Sequence, residues 1–420
     1  MTRKLGPNAF FFVIVTVAID MLAFGLIIPV LPALIEDVMG LGPAEAVAWG
    51  GALTATYALM NFAFGPAIGA LSDRFGRRPV LLASIFTLAI DFLVMGLANT
   101  IWLLFLGRAL SGVSGATFST ANAYIADTTS PEERGRAFGM IGAAFGFGFV
   151  FGPVMGGFLG EVDPRAPFFV AAALSGCNFI YGWFVLPESL SQDNRRAIDW
   201  TRANPFGAFN HFSKLPHVSW FLIVLGVFGL AHSVYPATWS FHGEIRYDWS
   251  SREIGFSLGL VGIGAAIVQA GLMGMMLKHL GPARTAVFGL VMNILPLIAF
   301  SLAGKAWMAY LIIPFSALGG VAQPAVNSIM STRTPKNAQG ELQGATASIQ
   351  ALAMIISPLV MTQTLHTFST NDAPIYFPGA AFLLAAALTA LALIPLFRGL
   401  AIQPPDPDSG KELASAANPD

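Results

Sequence analysis

Residues 69–82 read GALSDRFGRRPVLL and place Asp73, Arg74, Arg77 and Arg78 within six residues, between two long apolar runs. Gly69 and Gly76 let the chain turn tightly, the arginines hold it at a membrane surface, and Asp73 can sit against a helix N-terminus or a neighbouring arginine. Such a turn makes sense only if the runs on either side cross a bilayer.

Composition agrees. Of 420 residues, 55% are hydrophobic and only 11% charged, against about a quarter charged in soluble domains. Mean hydropathy is +0.67. A helix needs about 20 apolar residues to span hydrocarbon, because its backbone groups must be satisfied internally. Twelve segments qualify: 8–34, 48–70, 79–98, 101–125, 136–160 and 166–186, then 217–240, 253–277, 284–304, 306–330, 341–365 and 374–397. The first run is too long for a cleaved leader and is expected to be retained.

Of the 22 lysines and arginines, only Arg165, Arg246, Arg252 and Lys305 fall on the far side of this layout, and Arg108 lies inside a helix. The bias predicts that both termini are cytoplasmic. Cys177, the single cysteine, reads as a small packing residue, so neither a disulfide framework nor a metal site is expected. No HExxH, GxSxG or P-loop occurs, so an enzyme is not expected, nor is a nucleic-acid partner.

The longest polar connection, 187–216, divides the chain into six-helix bundles at 1–186 and 217–400, followed by a polar tail, 401–420. An offset of 205 takes Gly69 to Gly274, Gly76 to Gly281, Gly115 to Gly320, Asn122 to Asn327 and Pro153 to Pro358. An offset of 204 takes Pro131 to Pro335. The halves therefore read as a duplicated unit. The fold class is an all-α integral membrane protein, twelve transmembrane helices in two pseudo-symmetric bundles.

Chemistry concentrates in the first half, where Asp20 and Arg108 stand opposite Leu225 and Ile313. In LGRALSGVSGAT, Arg108, Gly112, Gly115, Ser119 and Asn122 share one helical face. In GFVFGPVMGGFLG, Gly148, Gly152, Gly156 and Gly160 form a narrow groove beside Pro153, with Gly157 adjoining. A charge at the bilayer centre costs at least about 2.5–3.5 kcal/mol, which makes Asp20, Asp91, Arg108 and His232 candidates for proton coupling. Asn61, Gln269, Asn293, Gln323, Asn327 and Gln350 are candidates for a substrate cavity, with Phe24, Tyr57, Phe145, Phe149, Tyr235 and Trp239 as its apolar lining.

The opening stretch resembles the loop signature G-x-L-x-D-R-x-G-R-R/K of the major facilitator superfamily. That resemblance implies a cytoplasmic gate of Gly69, Asp73, Arg74, Gly76, Arg77 and Arg78, with Asp127 as partner of Arg77, latching the two halves together. The helix-five glycines and Pro153 resemble the antiporter motif of exporting members. VAIDMLAFGLIIPVLP, YIADTTSPEERGRAFG and GELQGATASI are similar to bacterial tetracycline/proton antiporters. The resemblance implies proton-driven efflux of a hydrophobic or polycyclic drug, carried as a divalent-metal chelate without a resident cofactor, by a monomer in a bacterial inner membrane. The chain departs from that family at Ala265, where the family has a histidine, and at Asn293, where it has an aspartate. Proton symport or facilitated transport of another small solute is the alternative.

Overall fold

The computed structural model describes residues 7–115, 117–196 and 218–402, and among them every regular element is helical. The first half comprises α1 (Pro7–Ile27), α2 (Leu31–Met39), α3 (Pro43–Phe75), α4 (Arg77–Gly96), α5 (Ile101–Ser114), α6 (Thr117–Thr128), α7 (Pro131–Val162) and α8 (Ala166–Val185). The second comprises α9 (Ser219–His232), α10 (Val234–Tyr247), α11 (Ser251–Ile267), α12 (Met273–Leu302), α13 (Ala306–Ala317), α14 (Ala322–Arg333), α15 (Gln339–Thr367) and α16 (Ala380–Ala401).

Sixteen helices make twelve spans because four spans are broken. α1 and α2 form one span bent by 51°. α5 and α6 meet at Gly115, α13 and α14 are joined through a 3-10 turn containing Gly320, and α9 runs into α10 at Ser233. The breaks at Gly115 and Gly320 obey the 205-residue offset. Conversely, the apolar helical run Ser251–Leu302 is 52 residues long. Straight, it would measure about 78 Å, more than twice a bilayer. Gly281, with φ 75° and ψ 164°, folds it into two spans.

Gly76, the duplicate of Gly281, does the same between α3 and α4, with φ 109° and ψ 160°. Both backbones lie where an L side chain is strained, so glycine is required at the two equivalent turns. The landmarks found by offset thus mark equivalent backbone events.

The duplication also fixes how the halves meet. α7 packs on α11, and α3 packs on α15 and α10. Under the offset, the α7–α11 and α15–α3 seams exchange. Ser250 Oγ donates to Glu161, Ser240 Oγ donates to Ile28 O at 2.9 Å, and His366 Nδ1 lies 2.8 Å from Ala44 O. All these bridges lie at the end away from the arginine-rich loops. There a single apolar core, including Leu34, Phe168, Trp239, Phe300 and Phe382, runs through both halves.

At the arginine-rich end the core divides. Phe12, Leu81 and Tyr124 belong to one cluster in the first half, and Phe221, Leu290 and Val326 to another in the second. Gly135, Gly139, Gly142 and Gly146 of α7 face open space. The molecule is closed at one end and open at the arginine-rich end.

Residues 187–196 fold back on the first half: Tyr124 donates to Pro187 O at 2.9 Å, and the Arg196 amide donates to Asp73 O at 3.2 Å. The rest of the expected linker, 197–216, and nearly all of the tail lie outside the described residues. Cys177 corrects the sequence reading: it is exposed on α8 rather than packed, because its helical face carries no neighbour there.

The glycine stripe of α7 serves two partners rather than one groove. A Cβ on Gly148 would lie 2.6 Å from Leu22 N, and one on Gly152 2.8 Å from Gly25 Cα, so these positions admit α1. Gly156 meets the Leu26 backbone of the same segment. Gly157 faces across the seam, where a Cβ would lie 2.6 Å from Ser251 O. Gly156→Leu should lower stability by about 2 kcal/mol or more through overpacking. Gly139→Leu, in open space, should stay within about 0.5 kcal/mol of the parent. Thermal unfolding of the two purified variants, monitored with size-exclusion behaviour, checks the contrast.

Candidate functional site

Between the halves lies a cavity of about 930 Å³, counting its open mouth. Its first-half wall is Phe24, Ile27, Ile28, Leu31, Thr54, Tyr57 and Arg108, and its second-half wall is Ser233, Pro236, Ala237, Ser240, Phe241, Met354 and Pro358. A smaller space of about 590 Å³ shares Phe24, Ile27, Tyr57 and Arg108 with it and adds Asp20, Phe92 and Ser111. The lining is mostly apolar, with a polar floor on the first half and Ser233 and Ser240 on the second, the usual chemistry of a small-molecule site.

The polar floor brings together three of the four membrane-embedded candidates. Asp20, one helical turn before Phe24 on α1, lies half-buried, and its Oδ1 is buried with no hydrogen-bond partner. Arg108 projects from α5 and borders both spaces. Asp91 stands behind it on α4, fully buried, with its carboxylate 3.8 Å from Arg108 Nη2. That separation makes an ion pair but not a hydrogen bond.

The guanidinium donates instead to Met95 Sδ, at 2.9 Å from Nη2 and 3.3 Å from Nε. Sulfur is a weak acceptor, so Arg108 keeps donor capacity to spare. Tyr57 sits in the field of Arg108, Asp91 and Asp20 together. Gly107 allows this packing: a Cβ there would lie 2.5 Å from Met95 Cγ and 2.8 Å from Asp91 Oδ1. Met95 had no signal in the sequence beyond its place one turn after Asp91.

His232 is elsewhere. At the end of α9 it turns into the second half, stacks on Phe228 with ring centroids 5.3 Å apart, and lies 3.4 Å from Asn293 Nδ2 through Nδ1. Ser233, the next residue, faces the cavity instead. Asn293 is fully buried beside Gly319 and does not line either space. Its expected place in the cavity is corrected by helix register, since its side chain points to α9 and to the turn between α13 and α14 rather than across the seam.

Of the other polar candidates, Asn61 lines an opening between α3 and α15 with Phe62, Pro66, Ala347 and Ser348, which adjoins the cavity through Ala58 and Met354. Gln269 is exposed on a π-helical turn, Val268–Leu272, and Gln323 and Asn327 are half-buried on α14; none of the three lines the two central spaces. Phe24 and Tyr57 do line the cavity. Phe145 and Phe149 stack on each other at 6.3 Å, and Tyr235 and Trp239 pack against Phe300 and Phe382 inside the second half.

The charged turn forms a compact cluster. Arg77 pairs with Asp73 at 2.6 Å and with Asp127 at 3.1 Å, and donates to Ser72 Oγ at 3.1 Å. Arg78 donates to Trp183 O at 2.7 Å, and Arg74 lies over the Phe75 ring. Among the described residues every partner of the cluster comes from the first half or residues 187–196. In this conformation the ends a latch would join stand apart, and the cluster ties α3, α4, α6 and the start of the linker. Glu188, which sequence reasoning missed, accepts from the Arg77 amide at 2.8 Å and the Arg78 amide at 3.3 Å. It caps the α4 N-terminus, where a carboxylate meets the helix dipole.

A sequence profile described as Major Facilitator Superfamily matches residues 13–358. The chain belongs to the major facilitator superfamily. Within this superfamily it is 38% identical over 393 residues to the class C tetracycline resistance protein of Escherichia coli, covering 93% of this chain and 97% of that one. It is 38% identical over 347 residues to the class G tetracycline resistance protein of Vibrio anguillarum, covering 82% and 87%. The crystal structure of nucleoside transporter NupG superposes with a TM-score of 0.77 at 14% identity, covering 94% of this chain and 100% of that chain, a likeness of fold alone. The facilitator fold makes this chain a multi-pass membrane transporter of twelve spans.

Glu188→Ala in this facilitator protein should cost about 1–2 kcal/mol of stability by uncapping α4 and leaving two amides without a carboxylate. Thermal unfolding checks the loss, and Glu188→Asp should recover part of it.

Proposed function

We propose that this protein is a proton-coupled exporter of a hydrophobic or polycyclic drug of the tetracycline type, working by alternating access as a monomer in a bacterial inner membrane. The observation that carries the reading is the unpaired Asp20 carboxylate at the floor of an apolar cavity between the halves. The names of the relatives supply the substrate class.

A bare carboxylate in such surroundings must be neutralised, either by a proton or by a cationic group. A drug carried as a divalent-metal chelate offers the cation. If both compete for Asp20, substrate binding displaces the proton, and the site cannot hold the two together. That competition is the physical content of antiport. Arg108, which stays charged, stands 3.8 Å from Asp91 and offers spare donors to a polar edge of the substrate. Asp91 is the second carboxylate able to take part in coupling, and His232, beside Asn293, is the candidate of the second half.

The arginine-rich end is the cytoplasmic face in this reading, by the positive-inside bias, so both termini are cytoplasmic and the described conformation faces inward. The Asp73–Arg77–Asp127 cluster then acts as the cytoplasmic gate, meeting the second half when that end closes. One proton moving down a potential of 100 mV provides about 2.3 kcal/mol, enough to hold roughly a 50-fold gradient of a neutral substrate.

The second-half cavity wall has Ser233 and Ser240 as its polar groups and no ionisable side chain. This favours a less polar substrate than a tetracycline as the second reading, and the test separates the two. An efflux-deficient bacterium expressing the chain should accumulate less tetracycline, an effect abolished by a protonophore. Asp20→Asn should reduce proton-dependent export by about tenfold or more while the protein remains in the membrane. Protonophore-sensitive export of other hydrophobic drugs alone would move the substrate class, and full export by the Asp20→Asn variant would overturn the role of that carboxylate.

A further inference from the structure

A second pair of carboxyl groups lies outside the cavity, at the closed end of the molecule. Glu36 is on α2, the short helix thrown 51° off the axis of α1, and Glu244 is on the last turn of α10. One belongs to the first half and the other to the second. Their carboxyl groups meet across the seam, and both are half-buried. Glu36 Oε1 is buried without a partner. Ser240 Oγ donates to Ile28 O at 2.9 Å nearby, and the Phe241 ring fills the space left by Gly50, so α10 is held against the α1–α2 bend and α3 beside the pair.

Ionised carboxylates accept hydrogen bonds and do not donate them, so a contact between two carboxyl groups is attractive only when one of them carries a proton. Among the described residues no cation takes its place. Asp248, the other charge acting on Glu244, is also negative. Arg165 is engaged by Asp37 at 2.8 Å and by Gly96 O and Ala98 O. Arg246 donates to Ala303 O, and Arg252 lies over the rings of Phe158 and Phe256. Lys305 is exposed. His242 and His366 are committed to Pro378 O and Ala44 O. On α11 Glu253 caps Ser250, Glu161 at the end of α7 accepts from Ser250, and Glu45 of α3 stands beside Gly42. Two bare carboxylates brought together in this setting repel, whereas one shared proton turns the contact into an attraction.

We propose that Glu36 and Glu244 form a proton-binding latch: closing this end of the molecule takes up one proton between them, and parting the halves returns it to the adjoining water. On the orientation proposed above, this is the outer face. A lower external pH therefore favours the inward-facing conformation, independently of what the cavity holds. The pair is distinct from Asp20 and Asp91, since it exists only when the seam is closed and its proton leaves on the side from which it came. It regulates the cycle without itself carrying a proton across.

The test measures the seam rather than transport, so it stands whether or not the substrate assignment does. In full-length protein in lipid nanodiscs, with Cys177→Ser, spin labels at Val162→Cys and Asn371→Cys report the distance between the halves at this end by double electron–electron resonance. The closed population should fall relative to the open one by on the order of tenfold between about pH 5 and pH 9, a span that brackets a perturbed carboxyl pair. Glu36→Gln and, separately, Glu244→Gln supply a neutral donor to the remaining carboxylate and should each flatten that dependence while keeping the seam closed at high pH. A pH-independent parent would overturn the latch. So would an unchanged pH dependence in both variants, which would assign the titration to other groups. Either variant suffices if the other fails to purify as a single species.

Discussion

The fold depends on backbone-to-backbone approach at one helix. α7 lies between α1 of its own half and α11 of the other, and can do so only because it carries glycine wherever it would otherwise collide. Lipid tails are as apolar as leucine, so burial gives little preference for one helix neighbour over another, and close packing must hold the bundle together. Gly148, Gly152 and Gly156 admit α1, and Gly157 admits α11, where Gly255 stands within reach of Pro153. The seam that divides the halves and the wall that carries Asp20 are thus both hung on α7.

The same geometry explains the placement of charge. A bundle open at one end and sealed at the other has one continuous core where it is sealed and two separate cores where it is open. Asp20 and Arg108 lie at the first-half wall of the space in between, while Asp91 is withdrawn to zero exposure behind the arginine. The loose Asp91–Arg108 contact, with Met95 taking the guanidinium donors, leaves the pair short of the bidentate geometry that would fix it permanently.

Much of this was legible in the sequence, and for physical reasons. Apolar length specified the spans, and the duplicated glycines at 76 and 281 foretold two equivalent turns, because a positive φ leaves little choice of residue. Asp20, Asp91 and Arg108 announced themselves by the cost of burying charge. What failed was orientation around the helix axis. Asn293 and Ser233 are both polar and both within spans, yet one faces the bundle interior and the other the cavity, and hydropathy carries no phase that distinguishes them. The capping role of Glu188 and the meeting of Glu36 with Glu244 were hidden for another reason: each joins residues more than a hundred positions apart whose proximity follows only from packing. The gate cluster was half visible, since its residues assemble as the spacing implied while its partners depend on which end is open.

The fold-back of residues 187–196 also bears on how a duplicated protein remains asymmetric. Glu188 and the Arg196 amide bind the start of the connection to α4 and to the loop at Asp73, so the first bundle ends, structurally, well after its last helix. Among the described residues no carboxylate caps the equivalent turn at Gly281, which is followed directly by Pro282. One copy of the repeated unit thus carries a stiffened corner at the arginine-rich end and the other does not. In a rocking molecule the braced copy serves as the frame of reference, and the unbraced copy is the part free to yield.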